Sequence, residues 1–274
     1  MSPAPDREQV RLLALHDELI RGAVELEDAA DVVQIGPLWL GRFGGHGLVT
    51  YRDLDGARGP DLIDLIAAAK AHFGALGMGF EWKTRGHDDR ASELDVALRA
   101  AGFDAEPAET VMVGEPAMLI GRASVLPDGV VLRQAGAGEK SLADDVAAVG
   151  RLHAAVFEHH RDDYDQAVLA KLQQRPDRVK LWMVVNDAGG VLCAGRLDLT
   201  APVAGLWGGA TDPAWRGRGL YRALTAARCL EAAQRGCTVV YAECTEFSRP
   251  ILERSGLRAV TTTTPYVWSP TGRG

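Results

Sequence analysis

Apolar positions Val10, Leu12, Leu13, Leu15, Leu19 and Ile20 recur at the spacing of one helix side, so the chain opens with an amphipathic helix. Short strands are expected near 32–35 and 38–43, a turn at 44–47 and a strand at 48–51. Pro60 opens a helix carrying Leu62, Ile63, Leu65, Ile66 and Ala69. Residues 80–84 alternate as a strand does. Leu94, Val96, Ala97, Leu98 and Ala101 form a short helix that Gly102 stops, and 110–113 is a further strand. From 114 to 129, Gly114, Pro116, Gly121, Pro127, Asp128 and Gly129 interrupt the pattern and mark a domain boundary.

The pattern then restarts. Val130, Val131 and Leu132 form a strand, and Val146, Val149, Leu152, Ala155 and Val156 place a helix over 142–157. A polar connection with His159 and His160 leads to a second short helix through Ala167, Val168, Leu169 and Leu172. A buried strand at 181–185, a hairpin turn at 186–190 and a returning strand at 191–197 come next. A glycine-containing strand at 205–211 feeds a long helix over 219–235, with Gly236 suited to its end. A strand at 238–244, a short helix capped by Ser248 or Arg249 and ended by Gly256, and a β-rich stretch at 261–268 complete the order. The second half reads β, α, α, β, β, β, α, β, α, β, and the first ends in a similar β, α, β, α, β. Two copies of one unit, the first degraded, account for this.

Composition changes the picture little. With 274 residues, 47% hydrophobic and 24% charged, the chain suits one large or two medium globular domains. The net charge of −7 argues against a general nucleic-acid coat. Cys193, Cys229, Cys237 and Cys244 form no close pair, so buried thiols fit better than a disulfide framework or a metal site. No apolar run approaches the roughly 20 residues that span a bilayer. The opening residues carry no basic segment ahead of an apolar core, so a cytoplasmic protein without membrane partners is expected.

Chemistry concentrates at 211–222, Thr-Asp-Pro-Ala-Trp-Arg-Gly-Arg-Gly-Leu-Tyr-Arg. An apolar strand enters it and an amphipathic helix leaves it. Two glycines one residue apart let the backbone turn tightly and approach a ligand. The amides of a helix start and its dipole favour a negative group there. Arg216, Arg218 and Arg222 add charge suited to phosphate. The segment is therefore a candidate cradle for a phosphorylated ligand.

With these elements placed, the second half resembles the GNAT superfamily of N-acetyltransferases. Arg216-Gly217-Arg218-Gly219-Leu220-Tyr221 is similar to the family's Q/R-x-x-G-x-G/A signature. Thr211-Asp212-Pro213 looks like the end of its fourth strand, and residues 249–257 look like its short helix ending in a Gly-hydrophobic pair. The resemblance covers roughly 130–268. In the first half, 80–84, 92–103 and 109–114 look like the last strand, helix and strand of the same fold, but 54–61 carries no signature. The resemblance implies an α/β (α+β) chain of two tandem GNAT-like domains, each a mixed, mostly antiparallel sheet flanked by helices. The first, 1–120, has lost cofactor binding, and the second, 130–270, binds acetyl-CoA. Two departures stand out: Tyr221 occupies the signature's Gly/Ala position, and Leu252 stands where the family often has a proton-donating Tyr.

The implied reaction is direct attack of a primary amine, on a small molecule or a peptide, on the thioester of acetyl-CoA, with no metal. Arg216, Gly217, Arg218, Gly219, Leu220, Tyr221 and Arg222 would hold the diphosphate, with Ser248 a further contact or simply a cap. A backbone amide near Ala210 or Thr211 would face the thioester carbonyl. A free alkylamine has a pKa of about 10.4, so a proton acceptor is needed. Glu243 is the first candidate base, with Glu246 next; a solvent-facing or salt-bridged Glu243 is the alternative. Tyr266 is a second catalytic candidate, or a half-buried core residue. His153, His159 and His160 lie where acceptor contacts are expected. An exposed sheet edge in the first copy is a candidate homodimer contact.

Two rival readings remain open at this level. One keeps the fold without catalysis, as a CoA-binding or partner-binding module. The other is an NAD-dependent Rossmann enzyme, because Gly217-x-Gly219 follows a strand and Glu243 lies about 20 residues on.

Overall fold

The computed structural model describes residues 6–157 and 162–270, with no account of the side chains of 162–164. The chain divides into two compact units, one of residues 1–111, 243–249 and 259–274, the other of 112–242 and 250–258.

The first unit starts with α1 (Arg7–Leu19), where the Asp6 carboxylate caps the helix by accepting from the Gln9 amide at 2.7 Å. A 3-10 turn (Gly22–Leu26), β1 (Asp31–Ile35), β2 (Leu38–Phe43) and β3 (His46–Tyr51) follow. Next come α2 (Pro60–Ala75), β4 (Gly79–Arg85), α3 (Ala91–Ala100), the short β5 (Asp104–Ala105) and β6 (Glu109–Gly114). Strand order in this unit is β1-β2-β3-β4-β12, where β12 is Arg258–Trp268, and β5 pairs with β12. Neighbours are antiparallel except β3 and β4, which run parallel. Leu62, Ile66 and Phe73 of α2 and Leu94 and Leu98 of α3 bury one face of that sheet against Phe80 and Trp82.

The second unit carries α4 (Pro116–Ile120), β7 (Val130–Gln134), α5 (Leu142–Val156), α6 (Asp162–Gln174), β8 (Val179–Asn186), β9 (Val191–Thr200) and β10 (Val203–Thr211). It continues through α7 (Leu220–Gln234), β11 (Val239–Cys244) and α8 (Arg249–Ser255). A capping box between Ser141 and Asp144 starts α5. The strand order is β7-β8-β9-β10-β11, antiparallel from β7 to β10 and parallel only between β10 and β11. A doubly wound parallel sheet is therefore ruled out, and the Rossmann alternative with it. Residues of α5 and α6 cover one face around Leu181, Met183 and Ala194. The other face packs Val184 and Cys193 against Leu220 and Leu224 of α7.

The observed division differs from the contiguous domains 1–120 and 130–270 expected from the pattern. β12 pairs with β4 over six residues, from Thr263 with Arg85 to Trp268 with Phe80, which ties the β-rich stretch to the first unit. Residues 112–129 belong to the second unit, where α4 lies against α7. All four cysteines are buried thiols outside any disulfide among the described residues. No helix among the described residues is long and apolar enough to cross a membrane.

Candidate active site

The second unit's site is built on two strands that part. β10 and β11 pair only from Val203–Val239 to Gly205–Tyr241, and beyond that point they separate. On its other side, β10 bulges against β9: Trp207 faces Arg196 and Ala210 faces Ala194, leaving Gly208 and Gly209 opposite Gly195 alone. Residues 206–211 thus form no ladder with β11, which leaves room there for an extended arm. His153 of α5 is buried, and its Nε2 donates to the Gly208 carbonyl at 2.9 Å, which fixes the bulge. His153, expected near the acceptor, makes this internal contact. His159 and His160 lie outside the described residues.

β10 leads into the cradle. Gly217 and Gly219 have φ of +76° and +82°, a region that side-chain-bearing residues rarely occupy. Gly219 is the N-cap of α7 and offers no side-chain cap, so the amides that open the helix are left for another acceptor. Nothing lies within 4 Å of where a Gly217 Cβ would be, whereas a Gly219 Cβ would sit 2.8 Å from Cβ of Ser124. Arg216, Arg218 and Arg222 are exposed; Arg218 lies over the Trp215 ring at 4.6 Å, and Arg216 Nε donates to the Thr211 carbonyl at 3.4 Å. The Thr211 hydroxyl meets the Cys193 sulfur at 3.2 Å, and Ala210 is buried in the α5 side of the core. Leu220 is buried beneath the cradle. Tyr221, at the position where the signature has Gly or Ala, is accommodated by Gly209: a Cβ there would stand 2.7 Å from the tyrosine ring and hydroxyl. These features fit a diphosphate at the helix start and an extended arm along β10.

The first unit repeats the parting strands but fills the gap. β3 and β4 pair only as far as Val49–Trp82. Beyond it, Glu25 from the 3-10 turn accepts from Thr50 of β3 and from the Gly22 amide at 3.0 Å. Its other oxygen meets Arg85 of β4 at 2.6 Å and Lys83 at 3.4 Å. Burial alone would push the Glu25 carboxyl up, but Arg85 and Lys83, with the two hydrogen bonds, hold it down at about 2. At the start of α2 the Gly59 amide donates to Glu93 at 2.8 Å, so an internal carboxylate stands at that helix terminus. Both features rest on residues distant in the chain, Glu93 with Gly59 and Glu25 with Arg85, which local pattern does not report.

The catalytic candidates fall in this unit. The Glu243 side chain is 6% exposed and meets Lys83 at 2.6 Å, so it stands in a salt bridge. Burial works against the Lys83 ammonium, yet Glu243 and Glu25 outweigh it and raise its pKa. Nearby Glu81 is pushed up to about 6, chiefly by burial. Tyr266 is packed among Phe80, Trp82 and Leu98, and its hydroxyl bonds Asp95 of α3. Burial, then that carboxylate, pushes it up to about 12. Ser248 closes a turn in which its amide donates to the Thr245 carbonyl at 3.1 Å. Among the described residues no group of His, Cys, Asp or Glu is placed to hold a metal ion.

Residues 146–254 match the model of the Acetyltransferase (GNAT) family. This segment is a GNAT-family domain. It spans the bulge, the cradle and β11, and the first unit's signature-free turn lies outside it. Among solved structures, a GCN5-related N-acetyltransferase from Kribbella flavida is similar at 14% identity and a TM-score of 0.66, covering 94% of this chain and 95% of that one. A tandem GNAT protein from the clavulanic acid biosynthesis pathway is similar at 15% identity and a TM-score of 0.60, covering 96% and 94%. A GCN5-related N-acetyltransferase from Sphaerobacter thermophilus has 16% identity, a TM-score of 0.60, and coverage of 85% and 77%. At such identities the likeness concerns the fold: two GNAT-like units in tandem. A comparison with curated proteins gave no significant match.

Proposed function

We propose that the second unit transfers an acetyl group from acetyl-CoA to a primary amine. The observation that carries the reading is the uncapped start of α7, with Gly217 and Gly219 in left-handed conformations, after a strand whose ladder with β11 stops at Gly205. Amides of 219–222 and the guanidinium groups of Arg216, Arg218 and Arg222 hold the diphosphate. The backbone of 206–211 pairs with the pantetheine arm, and one of its amides faces the thioester oxygen where negative charge develops. Acetyl-CoA supplies the activated acyl carbon. The amine nitrogen bonds to that carbon as the carbon–sulfur bond breaks; the nitrogen gives up one proton and the sulfur gains one. Glu243 and Tyr266 hold structural roles in this reading, because Lys83 and Asp95 occupy them. The first unit binds no acetyl-CoA, since Glu25 and Glu93 fill the equivalent places.

Calorimetric titration with acetyl-CoA, followed by thiol release on adding a chemically broad amine panel, tests this. One molecule bound per chain and thiol release with an amine are expected. Two bound per chain would refute the account of the first unit. Binding without release across the panel would leave a CoA-binding module instead of an enzyme.

A further inference from the structure

The two faces of the second unit's sheet are unequal at the point where β10 and β11 part. The Trp207 partner on β9 is Arg196, whose partner on β8 is Leu181. Directly opposed residues share a face. Leu181 packs with α5 and α6, so Trp207 projects on that face, opposite to α7 and its cradle. Tyr241, paired with Gly205, meets the Trp207 ring edge-on at 5.4 Å and 89°. Gly205 lets the indole lie flat along the strand, because any Cβ there would collide with it. On the same side, His153 holds the carbonyl of the residue after Trp207, and Phe157 at the end of α5 stacks edge-on to His153 at 5.4 Å. Phe157 is 41% exposed, and Trp207 and Tyr241 are half-buried. Three aromatic rings therefore flank the bulge on the face that the cradle does not use.

Resting on the transferase reading, we infer that this face receives the acceptor, and that the acceptor is a primary amine carried on an aromatic ring system, an arylalkylamine. The donor's phosphates and arm take the α7 side and the strand edge, so the amine reaches the acyl carbon from the α5–α6 side. There the partly exposed surface is aromatic, its Trp207 and Tyr241 rings set edge to face, which favours offset or edge-on packing with another ring. Its nitrogen then bonds the acyl carbon and the thiol departs, with the proton exchange given above.

The test compares phenethylamine, hexylamine and spermidine as acceptors, using thiol release. Phenethylamine is expected to exceed the other two at least about tenfold in kcat/KM. Trp207→Ala should erase that preference through KM while changing kcat little, and Trp207→Phe should retain it. Circular dichroism keeps a misfolded variant from counting. Hexylamine or spermidine matching phenethylamine would overturn the inference and leave acetyl transfer standing. An unchanged preference in folded Trp207→Ala would do the same. Release with no amine of any kind, despite bound acetyl-CoA, would overturn the transferase reading and this inference with it.

Discussion

Replacing Gly219 by valine separates a cradle from an ordinary helix start. Gly219 sits at φ +82°, where a residue with a Cβ costs roughly 1–2 kcal/mol. The new Cβ would also stand 2.8 Å from Ser124 Cβ, well inside the roughly 3.5–4.0 Å of carbon–carbon contact. Relieving that overlap costs about 1–3 kcal/mol more. The loop must move, and amides aimed at a diphosphate move with it. Each charge-assisted hydrogen bond lost is worth about 1.5–3 kcal/mol, so two give at least a hundredfold weaker binding. Gly217→Ala is the control: φ is +76° but its surroundings are empty, so only the backbone cost applies. Calorimetry with acetyl-CoA reads affinity, and thermal melting without ligand reads the fold. Folded Gly219→Val with wild-type affinity would refute the placement of the diphosphate.

Other outcomes follow from named contacts. Glu25→Gln takes the buried carboxylate from Arg85, while Lys83 keeps Glu243, and should destabilise the protein by about 3–5 kcal/mol in denaturant titration. The depressed Glu25 carboxyl contributes stability above its unfolded value near 4.5, lost as pH falls through about 2; the wild-type acid transition should shrink over that window in Glu25→Gln. Glu81, raised to about 6, works the other way: its contribution is lost as pH rises from about 4.5 to 6, so Glu81→Gln should gain up to about 2 kcal/mol above pH 6, measured by melting at several pH values. Gly209→Ala should push Tyr221 into the cradle and weaken acetyl-CoA binding about tenfold or more, and adding Tyr221→Ala should restore it; a double-mutant cycle with no coupling would refute the fit of Tyr221 against Gly209.

Local chemistry was legible in the sequence, and distant pairing was not. The cradle could be read because its glycines, arginines and flanking strand and helix are adjacent along the chain. The antiparallel hairpin of β8 and β9 was readable from one turn for the same reason. Glu243 and Tyr266 show the limit. Each was judged by its place in a strand, but what surrounds it comes from residues 83 and 95, over a hundred positions away. The α4 turn and Ser124 lay in a stretch read only as a boundary, since glycine and proline report where a pattern stops and not where the chain then packs. Tyr221 looked like a defect in a motif until Gly209, which makes room for its ring, was seen beside it.

The return of β12 to pair with β4 also governs how the molecule is made. The first unit's sheet includes 263–268, so it waits for those residues to leave the ribosome, after nearly all of the second unit has been synthesised. Until then the β4 edge is an open template for strand addition, a hazard for aggregation during translation. A fragment cut at the old boundary would carry that same raw edge, and one starting at residue 130 would carry a strand with no partner.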